Sequence, residues 1–170
     1  MGRYTPVEIV DGQITEPMID VKYPVAVNMN IPVVQNRINR STRQLAVDMI
    51  SEQQDAWSED LIPAISGTYE VPLNESDLIS TKLENYGFPE GAAHGLTIAH
   101  SKTFDARTGY VYALSDLFRS GVDYVAILSD IIEKQIEEED LPTTAPFPGI
   151  SPNQDYYLTQ TELVIYFQAY

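Results

Sequence analysis

The hydrophobic period changes along this chain of 170 residues, and that change constrains its fold more than any other feature. Apolar and polar residues alternate up to about residue 30, the apolar spacing becomes helical from Pro32, and alternation returns from Thr68. Alternation is typical of strands with one buried face, whereas a spacing of three and four residues is typical of an amphipathic helix. The sequence therefore predicts helices and strands in separate runs.

The first part of the chain is predicted to contain two short strands and then an amphipathic helix. Residues 11–12 (Asp-Gly) and 16–17 (Glu-Pro) are expected to form turns in the strand region. The helix is expected to begin near Pro32 and to run toward Trp57, because proline suits a first helical turn. Its apolar stripe comprises Val34, Ile38, Leu45 and Met49, with Val33, Ala46 and Ile50 beside it.

Two hairpins are predicted in the second part of the chain. Residues 74–77 (Asn-Glu-Ser-Asp) are expected to form the turn of the first hairpin, and residues 107–109 (Arg-Thr-Gly) that of the second. In the second turn we expect Asp105 to accept backbone hydrogen bonds and Gly109 to adopt a positive φ. Between the hairpins, residues 87–95 contain three glycines and a proline and are expected to interrupt regular structure.

A second helix and a last strand are predicted beyond residue 119. Ser120 and Asp123 resemble a capping box at the start of the helix. Residues 137–140 are all acidic and oppose the helix dipole, so they indicate either a solvated helix end or an acidic docking patch. Residues 163–167 are apolar on both faces, which predicts a central strand covered on both sides. The apolar stripe of this helix comprises Val125, Leu128, Ile132 and Ile136.

This order of elements predicts an α+β fold, with a mainly antiparallel sheet of several strands packed with two amphipathic helices. A chain of 170 residues can bury one substantial core. We therefore expect a single domain over residues 1–170, in which strands and a helix from about 1–62 share one core with strands and a helix from about 63–170.

Composition narrows the range of partners. The formal net charge is −15, which disfavours nucleic acid and anionic lipid and favours a cationic partner, although such a charge equally serves solubility. The chain has no cysteine, so disulfides, thiol catalysis and thiolate metal sites are excluded. No apolar run is long enough for a membrane span, and no signal peptide is recognised, so any export signal or anchor would lie outside this sequence.

No catalytic motif is recognised, and no cofactor or metal is expected. His94 and His100 are six residues apart, which on a straight strand separates them by about 20 Å, too far to share one metal ion. The prediction is therefore that the chain is not an enzyme. A carboxylate-dependent glycan hydrolase using Asp105 and Asp116 remains as an alternative.

Two segments are candidates for ligand binding. The first is a run of small residues around one imidazole, which predicts either a recognition loop or a tight turn. The second, residues 146–157, carries apolar and aromatic side chains that could anchor a partner or pack on the core. The candidate binding residues are Gly91, Ala92, Ala93, His94, Gly95, Phe147, Ile150, Tyr156 and Tyr157.

Several segments, taken in order, resemble a paired family of domains of unknown function. That family occurs outside the membrane in RsiV-type anti-sigma factors and in the N-terminal part of PdaC-type peptidoglycan deacetylases. The chain departs from it at Ala92, where the family commonly has glycine. The segments that carry the resemblance are residues 21–24, 35–39, 91–95, 102–109, 114–118, 156–159 and 163–167.

The resemblance implies an extracytoplasmic domain that binds or senses a protein or a cell-wall ligand. In the RsiV branch this domain binds lysozyme, covers its active cleft and exposes the anti-sigma factor to regulated proteolysis. A basic protein such as lysozyme agrees with the acidic composition of this chain. Peptidoglycan is the other expected partner, and an accessory domain of a peptidoglycan-modifying enzyme is the alternative function.

Overall fold

The structure is a computed structural model that describes residues 6–143 and 145–169. The expected domain of residues 1–170 therefore includes positions that lie outside the described residues. The α+β fold class is confirmed. The strands are β1 (Glu8–Glu16), β2 (Ile19–Val27), β3 (Pro63–Glu75), β4 (Leu78–Pro89), β5 (Leu96–Asp105), β6 (Val111–Tyr112), β7 (Tyr156–Leu158) and β8 (Leu163–Ile165). The helices are α1 (Pro32–Asp55) and α2 (Tyr124–Glu138), with a short 3-10 helix at Leu114–Leu117.

Strands β1 to β6 form one sheet in chain order, and β7 and β8 form a second, two-stranded sheet. Neighbouring strands are antiparallel except β2 and β3, which run parallel with Ile19 opposite Ile65. A parallel pair needs a long crossover connection, and α1 provides it. Since β2 and β3 pair across the expected boundary near residue 62, both parts of the chain contribute to this sheet. The division into two parts with one shared core stays a prediction.

Helix α1 covers one face of the large sheet with the stripe expected from its sequence. Val34 and Ile38 pack in a cluster with Phe104, while Met49 packs in a second cluster with Leu83, and all five side chains are buried. Burial of one such side chain contributes about 1.5 to 3 kcal/mol. Pro32 occupies the first turn, as predicted. Val33, expected beside the stripe, is exposed.

Two glycines that were expected in turns or irregular structure lie inside strands. Gly12 belongs to β1, and a Cβ at that position would lie 2.6 Å from Cε2 of Tyr23. Gly87 belongs to β4, where a Cβ would lie 2.6 Å from Cγ of Gln53 on α1. The predictions at these positions were wrong because both glycines make room for a neighbouring side chain and do not end a strand.

Residues 163–167 do not form the expected central strand. Strand β8 is confined to Leu163–Ile165, pairs only with β7 and is half-buried. Leu163 and Ile165 of this strand pack in a third cluster, together with one face of α2 and with the buried residues Leu114, Ile150 and Tyr156. The strand therefore lies beside this small cluster, away from the centre of the large sheet.

The start of α2 also differs from the expectation. Helix α2 begins at Tyr124, and the carboxylate of Asp123 accepts a hydrogen bond from the backbone N–H of Ala126 at 3.1 Å. Asp123 is therefore the N-cap in place of Ser120, since a capping side chain must reach an N–H of the first helical turn. No helix in the described part of the chain is long and apolar enough to cross a membrane.

The turn between β5 and β6 has the predicted geometry. Asp105 Oδ1 accepts hydrogen bonds from the N–H groups of Arg107 at 2.7 Å and Thr108 at 3.1 Å. Gly109 has a φ of +71° and donates its N–H to the Asp105 carbonyl at 2.7 Å. A Cβ on this glycine would also lie 3.0 Å from Cδ of Arg37 on α1.

Gly109→Val is expected to lower the free energy of unfolding by at least about 1 kcal/mol, because valine disfavours a positive φ. Urea denaturation measures the effect. Gly121→Val measures the backbone strain alone, since Gly121 has a φ of +85° but no described atom within 4 Å of the added Cβ, and any larger loss in Gly109→Val reports the contact with Arg37. Unfolding curves of Gly109→Val and the parent that coincide would contradict the structure of this turn.

Candidate functional site

Residues 91–95 lie in the loop that joins β4 to β5. Gly91 has a φ of +89°, and the N–H of Ala92 donates to the Pro89 carbonyl at 3.2 Å, so the chain turns tightly here. Gly95 lies directly against the ring of Tyr86, which leaves no room for a side chain. His94 is exposed in this loop and is not on strand β5 with His100, contrary to the sequence analysis. The imidazole of His94 is therefore exposed in a tightly turning loop between two strands of the sheet.

Two of the aromatic and apolar candidates in the second segment are buried. Ile150 is 7% exposed, and its N–H donates to the hydroxyl of Ser129 on α2 at 3.0 Å. Tyr156 is also 7% exposed, and its hydroxyl donates to the carbonyl of Tyr112 at 2.7 Å. Both side chains pack in the third cluster, so the structure places them in the core, which is the alternative to surface anchoring that their sequence left open, and their part in ligand binding stays a prediction.

The other two candidates in this segment are half-buried and pair with aromatic rings near the end of the chain. Phe147 makes an edge-to-face contact with Phe167 at a centroid distance of 5.9 Å. Tyr157 and Tyr166 lie 5.9 Å apart with tilted rings. Each candidate therefore keeps part of its surface accessible to a ligand. Since Phe167 is exposed, the Phe147 pair is the more accessible of the two.

Helix α2 presents an apolar surface that the sequence analysis missed. One face, which includes Val125, Leu128 and Ile132, packs on the third cluster, but no residue of the helix is fully buried. Ile127 and Ile131 are 48% and 47% exposed on another face. They lie one turn apart, so their side chains are neighbours. The sequence did contain one indication of this surface. Ile127 and Ile131 are apolar but fall outside the stripe that was assigned to the core.

The acidic residues 137–140 lie at the end of the same helix, with five residues between Ile131 and Glu137. The helix ends at Glu138, and all four acidic side chains are exposed. Leu141 comes next and is also exposed. The end of α2 therefore combines apolar surface with concentrated negative charge. We call this region, formed by Ile127, Ile131 and residues 137–141, the α2 surface.

His100 contacts both helix α1 and the segment just before β7. Its Nε2 lies 2.8 Å from Glu52 Oε2 on α1, and its Nδ1 lies 3.5 Å from Asp155 Oδ1, just before β7. The hydrogen bond to Asp155 raises the pKa of His100, the bond to Glu52 raises it further, and burial opposes both. Protonated His100 is therefore stabilised between the two carboxylates.

His100→Gln is expected to lower the free energy of unfolding by about 1 kcal/mol near pH 5.5, and by less above about pH 8. The raised pKa means that the stabilising pairs are fully present below the unfolded-state pKa of His and are lost as the pH rises through the folded-state pKa. Urea denaturation across this range measures the difference. Glu52→Gln should remove part of the same pH dependence, and a difference that stays constant with pH would contradict these ion pairs.

The carboxylates proposed for hydrolysis are bonded to backbone groups near the second hairpin. Asp105 holds the turn described above, and Asp116 Oδ2 accepts hydrogen bonds from the Ala113 N–H and the Tyr110 hydroxyl, each at 2.8 Å. Within the described residues, no group of three or more His, Cys, Asp or Glu side chains could hold a metal ion. The structure thus gives both aspartates a structural role.

The architecture defines a class of α+β domain in which one helix crosses over a six-stranded sheet and a second helix packs with a small C-terminal sheet. Residues 11–97, slightly more than half of the chain, match the family described as Deacetylase PdaC. The chain belongs to this family. Residues 115–170 match the family described as protein of unknown function DUF3298. The paired resemblance found in the sequence is therefore confirmed.

Two solved structures share the fold. A DUF3298 family member from Bacteroides fragilis has a TM-score of 0.61 and 14% identity, over 92% of this chain and 81% of that protein. A DUF3298 family protein from Pseudomonas aeruginosa PAO1 has a TM-score of 0.53 and 16% identity, over 80% of this chain and 68% of that protein. At such identities the likeness concerns the fold alone. A comparison with curated protein sequences found no match.

Proposed function

We propose that this chain is a non-catalytic, extracytoplasmic recognition domain that binds a basic protein through the α2 surface. The observation that carries the proposal is the exposed apolar pair Ile127 and Ile131 on the helix that ends in the exposed acidic residues 137–140. Apolar surface at the centre of an interface supplies binding energy, while surrounding charges steer the partner and select it. A partner with a basic rim around an apolar patch complements this surface.

Lysozyme is the first basic protein to test. The resemblance to the lysozyme-binding part of RsiV-type anti-sigma factors supports it, and the net charge of −15 favours association with a basic partner. The same resemblance supports a location outside the cytoplasm. The loop of residues 91–95 and the pair of half-buried Phe147 and exposed Phe167 are further contact candidates, because they present accessible side chains.

Isothermal titration calorimetry with a basic lysozyme, at low and at moderate salt, tests this proposal. The double variant Ile127→Ser and Ile131→Ser is expected to weaken binding at least about tenfold, because it removes the apolar centre. Its unfolding midpoint should change little, since both side chains are about half-exposed. Val10→Ser is a matched control on β1, where Val10 is 41% exposed.

Two results would contradict the proposal in different ways. Absence of heat at both salt concentrations would exclude lysozyme as the partner. Equal affinities of the parent and the double variant would show that lysozyme binds elsewhere. In that case Phe147→Ala, measured in the same titration, would locate the contact at the Phe147 and Phe167 pair.

A second candidate function is an accessory domain of a peptidoglycan-modifying enzyme. It is favoured by the match to a family whose description names a deacetylase. The ligand would then be peptidoglycan, and sedimentation of the chain with purified peptidoglycan tests it. Binding to peptidoglycan that persists in the Ile127 and Ile131 double variant would favour this function over recognition of a basic protein through the α2 surface.

A further inference from the structure

A groove of about 600 Å³ lies between helix α1 and strand β5, on a part of the molecule distinct from the α2 surface. Three cationic side chains line it, Arg37 and Arg40 from α1 and Lys102 from β5. The amides of Asn36 and Gln44 and the hydroxyl of Ser41 also line it. The groove therefore combines positive charge with neutral hydrogen-bonding groups and with the apolar side chain of Val33.

This concentration of positive charge is unexpected in a chain that has far more acidic than basic residues. Only 10 of the 170 residues are Lys or Arg, against 25 that are Asp or Glu, yet three of those ten meet in one groove. None of the described residues that line the groove is a carboxylate. Among the described residues, Arg37, Arg40 and Lys102 make no ion pair within 4 Å, whereas three other Lys and Arg side chains do. The charge in the groove is thus left without a direct counter-charge.

Neutral acceptors hold two of these cations in place. Arg37 Nη1 donates to the Thr108 carbonyl at 2.7 Å, and Lys102 Nζ donates to Ser41 Oγ at 3.0 Å. These bonds orient the side chains without neutralising them. Burial lowers the pKa of Lys102, and the nearby carboxylate of Asp48, which accepts a hydrogen bond from Gln44, opposes that effect. An anion beside the Lys102 ammonium would favour its charged form and so offset the cost of this burial.

We propose that this groove binds an anionic group, a phosphate or a carboxylate, that is carried on a hydroxyl-rich sugar or polyol. Guanidinium groups bind both anions through paired N–H donors, and an ammonium adds a compact positive charge. The amide and hydroxyl groups of the lining can hydrogen-bond to the hydroxyls of the ligand. The volume lies within the range of about 300 to 1,000 Å³ that is usual for small-ligand sites. This site goes beyond the proposed function, because the groove would bind an anion, whereas the α2 surface would bind a basic protein.

Titration with small probes, monitored by backbone amide NMR shifts at low salt, tests the proposal. Glycerol 1-phosphate and glucuronate represent the two sources of the anion, and glycerol is the neutral control. We expect at least one of the anionic probes to shift the resonances of Arg37, Arg40 and Lys102, with little effect from glycerol. Saturation with glycerol 1-phosphate alone would assign a polyol phosphate, and saturation with glucuronate alone a carboxylated sugar.

Two arginine variants distinguish anion binding in the groove from a nonspecific effect of the net charge. Arg40→Gln removes a cation that lines the groove and is expected to weaken binding of the anionic probe at least about tenfold. Arg43→Gln makes the same change in net charge on α1 outside the groove, and should leave the affinity nearly unchanged. Both side chains are exposed, so neither variant should disturb folding. Equal weakening by both variants, or no saturable shift with either anionic probe, would overturn the proposal.

Discussion

Tyr156→Ala is expected to lower the free energy of unfolding by about 3 kcal/mol or more. The ring of Tyr156 is buried in the third cluster with Leu114 and Ile150, and truncation of a buried aromatic side chain leaves a cavity that the surroundings fill only in part. The loss should be large because Tyr156 also links this cluster to the sheet. Its hydroxyl donates to the carbonyl of Tyr112 at 2.7 Å, and alanine loses this bond.

Urea denaturation of two further variants separates the contribution of the buried ring from that of the hydroxyl hydrogen bond, and compares Tyr156 with its neighbour. Tyr156→Phe keeps the ring and loses one hydrogen bond, so its effect should be about 1 kcal/mol. Tyr157→Ala should be less destabilising than Tyr156→Ala, because Tyr157 is only half-buried. If Tyr156→Ala left the unfolding midpoint unchanged and weakened ligand binding instead, the assignment of Tyr156 to the core would be wrong.

Gly87→Ala is expected to lower the free energy of unfolding by about 2 to 3 kcal/mol through overpacking. The added Cβ would lie 2.6 Å from Cγ and 2.7 Å from Cδ of Gln53. Gln53 is fully buried on α1, and its Nε2 donates to the Leu96 carbonyl at 2.7 Å. Gln53 therefore cannot move aside without breaking that bond or shifting the helix away from the sheet.

Gly91→Ala is the matched control for this prediction. Gly91 has a φ of +89° but nothing within 4 Å of an added Cβ, so alanine there meets backbone strain alone. Its effect should be about 1 kcal/mol, and urea denaturation of both variants measures the contrast. Equal losses in the two variants would show that the contact with Gln53 does not explain why β4 has glycine at position 87.

Local patterns predicted the elements that depend on neighbouring residues. Pro32 and the stripe that includes Ile38 and Met49 placed α1 correctly, because helical spacing and the first-turn preference of proline act over a few residues. The turn at Gly109 was also recognised, since Asp105 and the glycine that completes the turn are only four residues apart. In both cases the partners of each interaction are close in the sequence.

The candidate site was predicted less well, because exposure depends on what the rest of the chain covers. Apolar spacing could not show that Tyr156 is buried while Ile127 and Ile131 are exposed. Likewise, periodicity at residues 163–167 was consistent with a central strand, although the small cluster that covers them is assembled from distant segments. The location of the loop at residues 91–95 was predicted, but its contact with Tyr86 was not.

The sequence by itself determined the α+β class, the boundaries of α1 and the acidic character of the chain, because these follow from local periodicity and from composition. Tertiary structure alone decided where charge and apolar surface gather. Arg40 and Lys102 line the same groove only because β5 packs beside α1, and His100 meets Glu52 and Asp155 for the same reason. Such contacts join residues that are tens of positions apart, and the packing of the sheet against the helix brings them together.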